Sequence, residues 1–298
     1  MILKIPLLRS NRSSNDILTQ IKLFQPYPAL ILEDRSERTL VISDLHLGWE
    51  RHLSKKGVHV PSQTPKIKKI LLNLIEEAAP SQLFILGDIK DAITRVSMEE
   101  WKDIPEFFED IQKQIQEIKI IPGNHDGNLE PLLPEKIKIV PSSGISFKGI
   151  GLFHGHSWPS PELLGCKSLI TGHVHPMLSI RDPMGFRIIK QIFVKAKCKC
   201  EKLAKAYIKY LGLKNIDDVF RFFQMDYGVQ VKVEDLFILP SFNQFLGGSP
   251  INQIKKGKKN TEYINPILRS GCVNLDNAEV YLLDGTFLGT FDLLKALN

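Results

Sequence analysis

The chain has 298 residues, of which 43% are hydrophobic and 24% charged, which excludes wholesale disorder and allows a full core without disulfides or a structural metal. Lysine and arginine exceed acids by 39 to 33, a net charge of +6 that leans mildly toward acidic partners but is far from that of a basic tail. No run approaches about 18 consecutive apolar residues, so neither a spanning helix nor a membrane partner is expected. The run MILKIPLLRS lacks a long apolar centre and an A-x-A pattern; no signal peptide is read there, and the expected location is cytoplasmic. Cys166, Cys198, Cys200 and Cys272 are too few for a disulfide scaffold, and the C-x-C spacing of the middle pair reads as reduced thiols rather than a zinc or redox C-x-x-C.

In chain order, ALILE and TLVIS (29–43) read as two strands around the polar turn DRSER. Residues 65–79 carry Ile67, Ile70, Leu71, Leu74, Ile75 and Ala78 at helical spacing, with Pro65 in the first turn and Pro80 as the stop. QLFILGD is a short buried strand. A second helix is expected over 98–117, with Glu99, Glu100 and Asp103 near its start, followed by the strand IKIIPGNHD. This alternation argues for an α/β sheet whose ligand edge lies at the strand C-termini. From 136 to 195 the runs KIKIV, ISFKG, IGLFHGH, SLITGHVHP, MLSIRD and FRIIKQIFV predict a second sheet of more antiparallel character. Helical spacing returns over 200–223. DLFILPSF is a late strand, and AEVYLLDGTFLGTF predicts a hairpin around Asp284-Gly285. The segment 252–262 reads as a mobile loop, and no linker divides the chain, so one domain over 1–298 is expected. Its motif-bearing core spans 38–180, and 181–298 completes the second sheet, with a lysine-rich helical segment over 195–223.

The chain has eight histidines, and none follows His175. Six of the eight fall in polar clusters: D-L-H (44–46), G-N-H-D (123–126), H-G-H (154–156) and G-H-V-H (172–175); G-D-I-K-D (87–91) adds two more acids. His52 and His59 stand apart and read as ordinary surface residues. One such cluster is common by chance, but five in series, each after an apolar strand, are not. Aspartate and imidazole with one amide and no thiolate suit manganese, iron, zinc or similar divalent ions. In D-x-H and H-x-H on extended backbone, residues two apart face one side. A single carboxylate between two such groups can bridge two ions, and two ions clamp the attacking and leaving oxygens of a phosphoryl displacement while making hydroxide available near neutral pH.

The series D-x-H, G-D-x-x-D, G-N-H-D, H-G and G-H-x-H, running from Asp44 to His175, resembles the calcineurin-like metallophosphoesterase superfamily, with every metal-binding position filled. The flank ILPSFNQFLGG (238–248) and the first strand pair more narrowly resemble its Icc-like, SbcD-related archaeal and bacterial branch. The resemblance implies a four-layer α/β/β/α sandwich of two stacked mixed sheets between helices, with the motifs on loops at one edge. It implies two divalent ions, manganese being the expected one, with iron, zinc or nickel admitted by the same ligands. Asp44, His46 and His175 would hold the first ion; Asn124, His154 and His173 the second; Asp88 would bridge them. His125 would donate a proton to the leaving oxygen or stabilise the transition state, and Asp91 would orient His125. Asp126 is expected to fix its turn, and His156 to stand behind the ligands or touch substrate.

The substrate implied is a phosphate ester. Protein phosphatases of the superfamily follow G-D-x-x-D with Arg-Gly, whereas this chain has Ala92-Ile93; Arg95 is the candidate to replace the missing arginine. SbcD-like nucleases carry histidine where this chain has Asp91. Two lysine clusters favour nucleic acid: Lys195, Lys197, Lys199, Lys202, Lys205 and Lys209, and Lys255, Lys256, Lys258 and Lys259. Lys202 and Lys205 are candidate substrate contacts, and Tyr207 and Tyr210 candidates to stack on bases. A solvated helix face with its tyrosines in the core has the same pattern. The leading expectation is therefore a dinuclear phosphodiesterase acting on nucleic acid or a nucleotide. A phosphomonoesterase or cyclic-nucleotide phosphodiesterase is the alternative, and an inactive scaffold of the same fold a remote one, since scaffolds lose ligands and this chain keeps all seven.

Overall fold

The computed structural model describes residues 19–295 except 36, 55, 94–95, 183 and 254–264. Arg95, the amino-terminal run and the second lysine cluster therefore lie outside the described residues, as does all but the start of the loop expected over 252–262.

The first sheet opens with β1 (Gln20–Leu23), β2 (Leu30–Glu33) and β3 (Arg38–Ser43) as an antiparallel meander. A single-turn helix, α1 (Arg51–Ser54), and the long helix α2 (Thr64–Ala78) follow. The α2 stripe of Ile67, Leu71, Leu74, Ile75 and Ala78 is buried as its spacing requires, and Ala79 in left-handed conformation ends the helix before Pro80. Strand β4 (Gln82–Leu86) pairs parallel with β3. Helix α3 (Met98–Gln112) starts on a reciprocal Ser97–Glu100 cap. It ends five residues short of the expected 117, because β5 (Glu117–Ile121) is drawn into register with β4 from Glu117 onward. Strand β6 (Lys138–Ile139) pairs parallel with β5, so KIKIV closes the first sheet rather than opening the second. The reason is packing: Leu129, Leu132 and Ile137 all sink into the core beneath α2 and α3.

The second sheet is mixed. Strands β7 (Ile145–Phe147), β8 (Ile150–Phe153), β9 (Ser168–Thr171), β10 (Pro176–Arg181) and β11 (Arg187–Cys198) enter it in turn. Two helices, α4 (Cys200–Tyr210) and α5 (Val219–Tyr227), precede β12 (Asp235–Ile238) and β13 (Ser249–Pro250). After α6 (Pro266–Arg269), β14 (Val273–Leu282) and β15 (Phe287–Thr290) form the expected hairpin at Gly285, and α7 (Phe291–Lys295) follows. The strand order is β13-β10-β11-β12-β9-β8-β7, with β14 also paired to β11. Its centre, β8-β9-β12, is parallel; the remaining pairs are antiparallel except β10-β13. Lys195 and Lys197 lie in β11 and not on a helix, because this strand runs on to Cys198 between β12 and β14.

Period-two alternation sorts the strand side chains into layers. Val41, Phe84, Leu86 and Ile121 of the first sheet meet Leu152, Ile170 and Phe237 of the second in a core between the sheets. Leu40, Ile42, Leu83, Ile85, Ile118 and Ile120 face α2 and α3. Leu169, Leu236 and Ile238 face the cluster with Tyr207 and Phe223 of α4 and α5. The layers are thus α/β/β/α, the expected fold class. No helix among the described residues is long and apolar enough to cross a membrane.

Candidate metal centre

Five loops carry the polar clusters, and each leaves the C-terminal end of a strand: β3, β4 and β5 in one sheet, β8 and β9 in the other. The first two loops extend the β3–β4 pairing past its end. Asp44 N–H donates to the Gly87 carbonyl at 3.1 Å, His46 N–H to that of Asp88 at 2.8 Å, and Leu47 N–H to that of Ile89 at 2.8 Å. Glycine is required where the loops cross: a Cβ on Gly123 would overlap the Asp88 carboxylate, and one on Gly87 would overlap the His154 ring. Asp126 fixes the G-N-H-D turn as expected, accepting from Gly123 N–H and Ile89 N–H at 2.8 Å each. Burial, reinforced by Asp88, pushes its carboxyl above the usual range.

Three groups of side chains converge, each with ligand atoms within 4.8 Å of one another: Asp44, His46 and His175; His46, Asp88 and His125; Asp88, His154 and His173. Asp88 Oδ2 lies 3.3 Å from His154 Nε2, 3.5 Å from His46 Nε2 and 4.0 Å from His125 Nε2. Its other oxygen accepts from His125 N–H at 2.9 Å. His154 is fully buried and donates Nδ1–H to the Leu86 carbonyl at 2.8 Å, which directs Nε2 at the cluster. His173 anchors by its main chain, N–H to the Asp44 carboxylate at 3.0 Å, with Nδ1 3.1 Å from His154 Nε2. His175 Nε2 stands 3.2 Å from Asp44 Oδ1. Asn124 is exposed on the loop beside His125.

The electrostatics call for added positive charge. Burial would raise the Asp44 and Asp88 carboxyls, yet His175 and His154 beside Asp44, and His154 and His46 beside Asp88, hold both below the usual carboxylate range. Burial would lower His154, but Asp88 and Asp44 push it up to about 9. Burial and the neighbouring His154 pull His173 down to about 4. Nε2 of His46 and of His175 are buried without a hydrogen bond. Orphaned imidazole nitrogens around two carboxylates, with no thiolate, fit divalent cations of the manganese, iron or zinc kind.

One placement departs from the sequence reading. The Asp91 carboxylate reaches His46 Nδ1 at 3.2 Å and His52 Nε2 at 2.7 Å, whereas it is the Asp91 main-chain carbonyl that meets His125 Nδ1, at 2.5 Å. His52 is exposed, as the sequence reading expects, and its ring also reaches the rim of the centre through Asp91. Lys90, inside G-D-I-K-D, is fully buried and donates to the Ala92 and Ile93 carbonyls. His156 lies behind His154, ring centroids 5.3 Å apart, and burial lowers its pKa.

The lysine cluster is divided. Lys195 pairs with Glu279, Lys197 with Asp235 and Lys205 with Glu201, while Lys199, Lys202 and Lys209 are exposed. Tyr207 is a core residue whose hydroxyl donates to the Pro159 carbonyl at 2.8 Å. Tyr210 is exposed and stacks on Trp158 at 5.5 Å. Sequence reasoning also missed Ser241, Asn243 and Gly248, which grip the loops of Asp44 and His175; the Gly-Gly pair at 247–248 was the available signal.

Residues 37–195, just over half of the chain, match the family model described as calcineurin-like phosphoesterase, and the chain belongs to that family of phosphate-ester hydrolases. Among solved structures it is similar to the nuclease MPE of Pseudomonas putida, with 18% identity and a TM-score of 0.51 over 91% of this chain and 95% of that one. It is also similar to Yfce, a phosphoesterase from E. coli, with 16% identity and a TM-score of 0.30 over 48% of this chain and 73% of that one. No curated protein matches it. The first likeness extends the shared fold across nearly the whole chain.

Gly123→Ala should cut divalent-metal uptake, measured by atomic emission on the dialysed protein, by half or more, because the added methyl overlaps both the Asp88 carboxylate and the Asp88 main-chain nitrogen.

Proposed function

We propose that this chain is a dinuclear metal-dependent phosphodiesterase acting on nucleic acid or a nucleotide. One observation carries the dinuclear reading: a single oxygen, Asp88 Oδ2, lies 3.5 Å from His46 Nε2 and 3.3 Å from His154 Nε2. Asp44, His46 and His175 would hold one ion, Asn124, His154 and His173 the other, and Asp88 would bridge them, with manganese the expected metal. Divalent ions held there would supply Lewis-acid polarisation of a phosphoryl oxygen and would lower the pKa of water toward neutral pH. His125 donates Nδ1–H to the Asp91 carbonyl, which turns Nε2 toward the cluster to protonate the leaving oxygen. Asp91 acts on His46 through its carboxylate and on His125 through its main chain.

The diester preference has its own support. A monoester dianion needs more positive charge than a diester anion, and Lys90, the only cation inside the second motif, is turned into main-chain carbonyls. Exposed Lys199, Lys202 and Lys209 supply a phosphate-attracting face on and just before α4. Four free thiols fit a reducing compartment, and we place the enzyme in the cytoplasm.

Metal-stripped protein reloaded with Mn²⁺ should hydrolyse bis-p-nitrophenyl phosphate with higher kcat/KM than p-nitrophenyl phosphate; the reverse order would overturn the diester reading. Asp88→Ala should lose metal and turnover together. His125→Ala should keep its metal while kcat falls on the order of 100-fold or more. If single-stranded DNA is the substrate, replacing Lys199, Lys202 and Lys209 with Gln should flatten the slope of log affinity against log salt by about 2. An unchanged slope would return that face to solvent.

A further inference from the structure

The D-x-H and G-H-V-H loops belong to different sheets, and one segment outside every metal motif grips both. Ser241 donates Oγ–H to the Asp44 carbonyl at 2.8 Å. Asn243, fully buried, donates Nδ2–H to the Leu45 carbonyl at 3.0 Å and reaches that of His46 at 3.5 Å, while its Oδ1 accepts from Phe245 N–H at 3.0 Å. The main chain joins in: Phe242 N–H donates to the Ser43 carbonyl at 2.7 Å and Asn243 N–H to that of Asp44 at 3.3 Å. Five residues on, Gly248 lies so close to the His175 carbonyl that a Cβ would overlap it. Strand β13 then pairs with Pro176 and Met177, directly after His175.

The contacts are one-sided. They reach Asp44, His46 and His175, the first of the three converging groups, and among the described residues no hydrogen bond runs from 241–248 to Asp88, His154 or His173. They also meet strained backbone: Asp44, His46 and His175 hold φ of 56°, 41° and 45°, the left-handed region, which non-glycine residues keep only where their surroundings over-determine it. At position 243 one buried group must give hydrogen bonds to carbonyls and accept one from an amide. A primary amide does both; a carboxylate cannot donate, and an apolar isostere does neither.

We propose that residues 241–248 are a clamp that sets one of the two cation positions, the one formed by Asp44, His46 and His175, and that Asn243 is its positioning residue. This rests on the metal reading above. Removing the clamp weakens one ion and spares the other, a result that a general loss of stability would not give.

The test is titration of metal-stripped, full-length protein with Mn²⁺, read by equilibrium dialysis and by the electron paramagnetic resonance signal of coupled Mn²⁺ pairs. Wild type should bind two ions. Asn243→Asp should bind one with affinity within about twofold of wild type and the other at least about tenfold more weakly, so that at two equivalents the coupled signal gives way to that of isolated Mn²⁺. Ser241→Ala, which removes the hydroxyl's contacts to the Asp44 and Asn243 carbonyls and no volume of consequence, should shift the same ion in the same direction by about threefold and decides the matter if Asn243→Asp fails to fold. Two ions held as in wild type by these variants, or both ions weakened equally, would overturn the clamp. His46→Ala, run in parallel, separates the two claims: if it leaves metal binding unchanged, the metal reading itself fails.

Discussion

A carboxylate sealed from water must be surrounded by positive charge or by donors aimed at it, and Asp88 sets that demand for the whole molecule. With 2% of its surface exposed, it faces His154, His46 and His125, which arrive from three other loops. An uncompensated buried charge costs several kcal/mol, so the strand ends that deliver these rings cannot drift apart independently. Two of them, those after β3 and β5, flank β4 in its own sheet. The third, after β8, belongs to the opposite sheet. The apolar layer between the sheets, with Phe84 and Leu86 against Leu152 and Ile170, therefore sets the distance at which acid and imidazole meet.

The same convergence accounts for the unusual backbone. Asp44, His46, Asp88, His173 and His175 all hold positive φ although none is glycine. Each such residue costs roughly 1–3 kcal/mol and persists only under strong local constraint. The constraint is visible in the main chain. The β3 and β4 loops continue their ladder beyond the regular strands, the Asp44 carboxylate accepts from His173 N–H, and the Asn243 segment closes the remaining side. Strain and grip coincide at the residues whose side chains must point into one small space. Side chains two apart, as in D-x-H and H-x-H, reach that space together because the chain bends between them.

Much of this was legible in the residues. Helix α2 was readable because its apolar stripe is long and bounded by prolines, and the strands because each is an apolar run cut off by a polar cluster. The places where reading and structure part are those where a neighbour decides. Residues 113–116 continue the helical pattern of α3 but turn out of it, because the chain is drawn into register with β4 from Glu117 onward. KIKIV has strand character in either sheet, and three apolar side chains under α2 and α3 assign it to the first. Lys195 and Lys197 alternate as well in a strand as they line a helix, and the flanking strands β12 and β14 settle the matter. His52 gave no signal, since its partner Asp91 stands 39 positions away in sequence.

What the sequence alone determined is the chemistry: residue types and motif order name a family, its donor set and its α/β layering, because ligand identity and side-chain periodicity are local properties. What only the tertiary structure decided is geometry. Which oxygen of Asp91 serves which histidine, which lysines already have acids beside them, which tyrosine is core, and how a segment 197 residues away in sequence holds the Asp44 loop all depend on contacts between distant parts of the chain. Such contacts leave no periodicity to read, because they form only after two sheets have packed face to face and brought their strand ends to one edge.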